Sequence, residues 1–349
     1  MIDTRVLCIA GGGNGNAGGG GAGGFLEFPS LALLDFTKYE VKVGLGGEVG
    51  GNGGDSYFYK PQNILETQVW SLGIYGSTDT EVVDVSALVA GATGVIWLEL
   101  NLSGTQQNQN DGTYAYVEGV SLIGHGFDGR YFIDVTSLLA GKTTITLSTN
   151  NNSNSATATF KFISGYEVFS FGGGRGVYGD ESGKRGGSGG GSAGSGASAG
   201  SGTSPQGFAG GVGSASKGTH VRHDAGAGGG GGAGGAGLGG TNRGYDGGIG
   251  KISNILGSDV YYAGGGAGSI SNGSGSNGLG QENYGGGGFG TGTTTGKDGA
   301  VIIRYTRADV PHTFIGGTIT DVGGDRVHVF EADGFLEPFL PPTAIPALI

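Results

Sequence analysis

A chain of 349 residues has room for two or three domains, and 86 of them are glycine, a composition far from that of an ordinary globular protein. With 13% charged residues and a net charge of −11, it lacks the clustered Lys and Arg that displace counterions from a phosphate backbone, which argues against nucleic acid as a partner. A single cysteine, Cys8, rules out an intrachain disulfide and a thiolate metal site, and no stretch approaches the roughly 18–20 apolar residues of a membrane helix, so no membrane insertion is expected.

Residues 1–59 read as the first part of a glycine-rich domain. The leading residues carry Asp3 and Arg5 and too short an apolar run for a secretion signal. A strand is expected at 6–10, a glycine run at 11–24, a second strand at 39–43 and more glycine at 44–54. Glycine costs roughly 0.5–1 kcal/mol relative to Ala in regular structure, so such runs either stay disordered or are densely packed. Disordered tracts lack apolar anchors, whereas these are punctuated by apolar segments at 6–10, 25–28, 39–43, 168–171, 260–263 and 301–305. Order is the better reading. Helix is excluded by propensity. Collagen needs a strict Gly-X-Y repeat and abundant proline, but Pro totals 8. What remains is a bundle of polyproline-II helices, with glycine at inward positions letting neighbouring backbones pair. On this reading the 225–240 run is one rod of roughly 50 Å at about 3.1 Å per residue.

Residues 60–166 change character: glycine falls, and Val, Ile, Leu, Thr and Tyr rise in short runs at 69–75, 94–102, 114–123, 130–135, 143–149 and 156–163, with turn clusters at 106–112 and 150–155. Short strands at this spacing predict an inserted β-sandwich of jelly-roll type. Within it VDVSALVAG (83–91) is echoed by IDVTSLLAG (133–141), which predicts a strand followed by a one-turn helix capped by the Ser86 or Thr136 hydroxyl. Residues 167–307 resume the glycine-rich pattern and close on a strand at 301–305. Residues 308–349 form a tail with a strand pair and a Pro-rich apolar end at 339–349, which reads as a docking segment. The fold class expected overall is all-β, with a glycine-rich polyproline-II bundle and the inserted sandwich.

No catalytic constellation stands out. GNGNAG at 13–18 fits the dinucleotide pattern, but glycines follow where that fingerprint requires a helix, so no cofactor is expected. Asp79, Glu81, Asp84, Asp111, Asp128 and Asp134 offer carboxylates for glycan hydrolysis, yet no spacing singles out two of them. His220, His223 and Asp224 have metal-ligand chemistry; the plainer reading is an exposed polar loop between glycine runs, and no metal is expected. The polar and aromatic interruptions of the glycine runs are better candidates, because Tyr, Arg and Asn give broad contact area with few rotors. Tyr178, His220, Arg222, His223, Asn242, Arg243, Tyr245, Asn283 and Tyr284 are therefore the receptor-contact candidates. In the sandwich, Trp70, Trp97, Tyr114 and Tyr116, with Tyr75, are glycan-stacking candidates where exposed and core residues where not.

Four strings in order, VLCIAGGG (6–13), YEVKVG (39–44), YYAGGG (261–266) and VIIRY (301–305), resemble the glycine-rich domain of bacteriophage tail-fibre and tip adhesin proteins. GGTIT (316–320) with VHVFEADGF (327–335) resembles a strand pair that precedes that domain in the family. The resemblance covers 5–59 and 167–335. It implies a virion-surface protein, made in the host cytoplasm, whose distal loops bind a host-surface protein or glycan and whose other neighbours are virion proteins. Fibre shafts of this kind are trimers and some tips are monomers, so a homo-oligomer is one of the two assemblies it allows. Two departures stand out: the insertion at 60–166, and the strand pair at the C-terminal instead of the N-terminal side. The latter predicts that 327–335 pairs beside 6–10, in the same chain or in a neighbouring subunit. The competing readings are a capsid or tail decoration protein without receptor binding, and an ice-binding protein, for which the interruptions are too irregular.

Overall fold

The computed structural model describes residues 2–34, 36–60, 65–66, 69–74, 79–91, 96–103, 113–126, 129–150, 156–164, 166–179, 181–194, 197–214, 226–270, 273–291, 293–310 and 313–339. It is nearly all β, with several antiparallel sheets. The chain divides into two compact units: Met1–Phe58 with Val168–Ile349, and Tyr59–Glu167. Among the described residues, no helix is long and apolar enough to cross a membrane.

The first unit is founded on the strand Ile2–Ile9. It lies between Ala300–Thr306 and Phe25–Leu33 in a five-stranded sheet that continues through Asp325–Phe330 to Thr318–Val322. Side chains alternate across a strand, and here both faces are covered. Val6, Cys8, Val301 and Ile303 enter a core with Tyr39, Val41, Phe58, Phe314 and Leu336 of a second sheet. Leu7, Ile9, Ala300 and Ile302 enter another with Ile255 and Tyr262. Burial on both faces is why these strands read as unbroken apolar runs. Pro29, which has no N–H to donate, sits in Phe25–Leu33 at the sheet edge.

The tail departs from expectation. Within the chain, segment 327–335 does not lie beside 6–10: Asp325–Phe330 pairs with Ala300–Thr306, and that strand separates it from Ile2–Ile9. Beyond it Gly334–Phe339 crosses to the second sheet and pairs with Tyr39–Lys42. The place next to Ile2–Ile9 is taken by Phe25–Leu33, which follows it after a short glycine excursion. The docking end at 340–349 lies outside the described residues.

The glycine runs double back repeatedly. Ala10 donates to Gly24, Gly13 to Gly21 and Asn16 to Gly18, so segment 10–16 runs antiparallel to 18–24 with one bond every three residues. The remaining N–H groups of 18–24 fan out with the same period. Gly18, Gly21 and Gly24 donate to Val177, Gly174 and Phe171; Gly19 and Ala22 to Gly228 and Gly231; Gly20 and Gly23 to Gly288 and Gly285. Neighbouring backbones leave no room for side chains: a Cβ on Gly19 would lie 1.9 Å from the Gly266 oxygen, and one on Gly20 2.1 Å from that of Gly13. The 225–240 run is accordingly not one long rod. It reverses at 233–235, where Gly232 donates to Gly235 and Gly229 to Leu238, and Ala233 anchors the reversal in the core around Tyr262.

In the second unit, one sheet runs Val120–Gly126, Thr113–Val117, Thr144–Asn150, Asp79–Asp84, and another Gly129–Asp134, Ile96–Ser103, Ala156–Ser164, Leu65–Glu66, with Trp70–Ile74 also on Ala156–Ser164. They share one apolar core containing Leu98, Leu100, Leu102, Phe160 and Phe162 from one sheet and Ala115, Val117, Ile145 and Leu147 from the other. The expected strand at 114–123 is a hairpin. Glu118 and Gly119 both have positive φ (53° and 74°), the backbone of a two-residue turn between twisted strands. The echoed motifs do begin helices, Ser86–Gly91 and Thr136–Leu139, and the second lacks the expected cap. The Ser86 hydroxyl and N–H both donate to the Asp84 carboxylate, holding its pKa below the usual range. Thr136–Leu139 has no side-chain cap, and the Thr136 hydroxyl instead accepts the Ile96 N–H at 2.9 Å.

Candidate functional site

Because each glycine segment is tied laterally to its neighbours, the turns joining them collect at two ends. At the end away from the sheets, Val177 accepts from Gly18 and donates to Gly191. Ser192 bridges Val212, Ala193 bridges Ala227, and Ala227 bridges Gly244. These links carry the turn after Val177 and the turn 241–244 onto one surface, though 63 residues separate Tyr178 from Thr241 in sequence. Gly213–Ser214 pairs in parallel with Gly240–Thr241 on the same surface.

Each turn is locally fixed. Tyr178, 56% exposed, precedes Gly179 at φ 82°, and an ion pair of 2.7 Å between Arg175 and Glu181 spans the turn. Asn242 adopts φ 67°, a conformation Asn tolerates better than most residues. The Tyr245 hydroxyl donates to the Thr241 carbonyl at 2.8 Å, and the Arg243 guanidinium lies 4.9 Å from the centre of the Tyr245 ring. Backbone bonds from Ala227 to Arg243 and from Tyr245 to Ala227 hold the turn on the neighbouring segment. Asn242 and Arg243 are exposed and Tyr245 half-buried. The result is an amide, a guanidinium and two phenol rings presented on a backbone with little freedom to lose on binding.

The other candidates are distributed differently. Asn283 and Tyr284 belong to the opposite, sheet-proximal end, where Ala263 donates to Tyr284 and Gly23 to Gly285. Asn283 donates to the Tyr261 carbonyl at 2.7 Å. Tyr284 stacks on Tyr262, with centroids 6.1 Å apart and rings parallel within 1°, and donates to Glu331. Burial first, and then the Glu331 carboxylate, push the Tyr284 phenol well above its usual pKa. His220, Arg222 and His223 lie outside the described residues, as does Asp224; among the described residues no group of three His, Cys, Asp or Glu is placed to hold a metal ion.

Among the described residues, the aromatic candidates of the second unit do not share one face. Trp70 is 7% exposed and packs edge-on against Phe162 in the core. Trp97 and Tyr116 are half-buried on the outward side of different sheets, because their neighbours Ile96, Leu98, Ala115 and Val117 point into the shared core. The Tyr114 side chain and all of Tyr75 are outside the described residues. Of the carboxylates, Asp79, Glu81 and Asp84 are exposed along one strand; Asp111 and Asp128, and the Asp134 side chain, are not described.

Sequence reading did not find the neighbours of these two turns, namely Gly194 against Gly179 and Gly273, which accepts from Gly244, because glycine segments carry no side-chain pattern that says which of them are neighbours. No family model, curated protein or solved structure matches the chain.

Proposed function

We propose that this chain is a virion-surface recognition protein of a bacteriophage, a tail-fibre or tip adhesin that is not an enzyme and presents rigid turns to a host-surface protein or glycan. The glycine segments are read as a bundle of polyproline-II helices, and the second unit as a jelly-roll-like β-sandwich inserted into it. Support for the bundle comes from hydrogen bonds that leave 18–24 in successive directions every three residues, the period of a polyproline-II helix. A seven-residue segment of that kind extends about 20 Å, long enough to hold the turns away from the sheets. Support for recognition comes from the gathering of Tyr178, Asn242, Arg243 and Tyr245 at one end, where backbone bonds and bridges hold the turns and the Arg243–Tyr245 contact and the Tyr245 hydroxyl bond to Thr241 fix those two side chains. The family resemblance of 5–59 and 167–335 points the same way.

A structural role in a capsid or tail, through contact with other virion proteins, is the second reading. It is favoured by exposed apolar side chains along the glycine segments, among them Phe208, Val212, Leu238 and Leu279 at 47–58% exposure. Fluorescently labelled full-length protein, measured by flow cytometry across a panel of bacterial strains, separates the two. Recognition predicts binding to some strains and not others, lost in the Tyr178→Ala/Arg243→Ala double variant. Equal or absent binding across the panel supports the structural reading.

A further inference from the structure

We infer that a second ligand site, distinct from the distal turns, lies at the sheet-proximal end of the glycine-rich unit and takes one pyranose ring of a neutral glycan. A cavity of about 430 Å³ opens between the Val260–Tyr262 strand and segments 282–284 and 297–298. That is near the small end of the roughly 300–1,000 Å³ range of small-molecule sites, which suits a single ring rather than a long oligosaccharide.

Its lining has two characters. Leu256, Val260 and the half-buried Tyr284 ring form apolar wall, against which the C–H face of a sugar loses water at little cost. The Tyr284 ring is held on both sides, by its stack on Tyr262 and its bond to Glu331, so it is in place before a ligand arrives. The polar groups keep unused capacity. Asn283 spends one amide N–H on the Tyr261 carbonyl, which leaves its oxygen to accept and its second N–H to donate. Asp298 spends one carboxylate oxygen on the Gly46 N–H, which leaves the other. Glu282 and Lys297 face each other at 3.8 Å, Glu282 with 80% of its side chain exposed. Acceptors outnumber donors, which matches a ligand rich in hydroxyl donors. Two carboxylates against one ammonium disfavour an anion. Beside this, the larger cavity around Arg5 and Arg304 has its guanidiniums already bonded to Glu27 and Asp325.

Saturation-transfer NMR and titration of the full-length protein with the methyl pyranosides of glucose, galactose and mannose, and with glucuronate as the anionic counterpart, test the assignment. At least one neutral pyranoside binds in the millimolar range, and glucuronate binds more weakly. Tyr284→Ala weakens the neutral sugar about tenfold, equivalent to about 1.4 kcal/mol, while Tyr284→Phe, which keeps the ring, stays within about twofold of the unmodified protein. Lys297→Ala, at an exposed position where folding is not at stake, weakens binding about threefold or more. Arg243→Ala, at the other end of the unit, changes nothing, so the result is independent of whether the distal turns meet a cell. No transfer to any neutral pyranoside, full binding by both Tyr284→Ala and Lys297→Ala, or loss of binding in Arg243→Ala overturns the site.

Discussion

Gly19→Ala puts one methyl group where the packing of the glycine segments leaves none. The new Cβ would sit 1.9 Å from the Gly266 oxygen and 2.8 Å from the Gly230 nitrogen, against at least 3.4 Å for ordinary contact. Relief requires segment 18–24 or segment 263–268 to move by about 1.5 Å, the shortfall between those distances. Gly19 donates to Gly228 and accepts from Gly191, while Gly266 donates to Gly20 and accepts from Gly230, so either movement strains two of these buried bonds. A buried donor or acceptor left unmade costs about 1–3 kcal/mol, and overpacking adds a comparable amount. The expected loss is about 4 kcal/mol, or roughly 10 °C in melting temperature. Gly324→Ala is the control: a Cβ there meets nothing within 4 Å, and the stiffer unfolded chain makes it neutral or stabilising by up to about 1 kcal/mol. Differential scanning calorimetry of the two variants reads the difference directly. Equal melting temperatures would refute the packing, because in a loose tract both substitutions are harmless.

Three further outcomes follow from buried groups. His328 is fully buried between the Gly316 carbonyl at 2.8 Å and the Tyr305 hydroxyl at 3.1 Å. Burial lowers its pKa, against a smaller opposing effect of the Gly316 bond, so the unfolded chain takes up a proton that the folded one refuses. This part of the stability is complete above the ordinary histidine value of about 6.5 and falls as pH drops below it. Denaturant midpoints between pH 8 and 5 should decline for the unmodified protein and less for His328→Gln; parallel curves contradict the assignment. Burial also pushes the Cys8 thiol far above its usual range, so an aromatic disulfide reagent should label it only as fast as the unit opens, and prompt labelling of native protein contradicts that. Leu100→Ala, fully buried in the core of the second unit, should cost about 2–5 kcal/mol in chemical denaturation; a loss below about 1 kcal/mol would show that the two sheets do not close on it.

The strands that anchor the glycine runs were legible because their apolar runs are unbroken, a consequence of cores on both faces of Ile2–Ile9 and Ala300–Thr306. The all-β character of the second unit was legible from alternation, as in Leu98, Leu100 and Leu102 with Trp97 and Glu99 between them. Turns within it were less so. Glu118-Gly119 lacks the Asn-Gly or Asp-Gly signal, and Glu118 is held in its positive-φ conformation by tertiary bonds, accepting from Lys142 at 2.8 Å and from the Thr146 N–H at 2.6 Å. The tail's register was misread because the alternation of 327–335 suits any partner strand. In the structure Val327 stands opposite Arg304 and Val329 opposite Ile302, on Ala300–Thr306. Of the candidate site, the residue types were legible and the grouping was not. Tyr178 and Arg243 meet one surface only because Ala193, Ala227 and Gly244 lie side by side, a relation written in backbone bonds between nearly identical segments.

Amide hydrogen exchange of the full-length protein, resolved at Gly20, Gly230 and Gly266, addresses the ordered packing of the glycine segments most directly. Gly20 donates to Gly288, Gly230 to Gly266 and Gly266 to Gly20, so all three amides should exchange as slowly as those of Ile2–Ile9 and Ala300–Thr306. Exchange at the rate of an unstructured chain, with those strands still protected, would contradict the account.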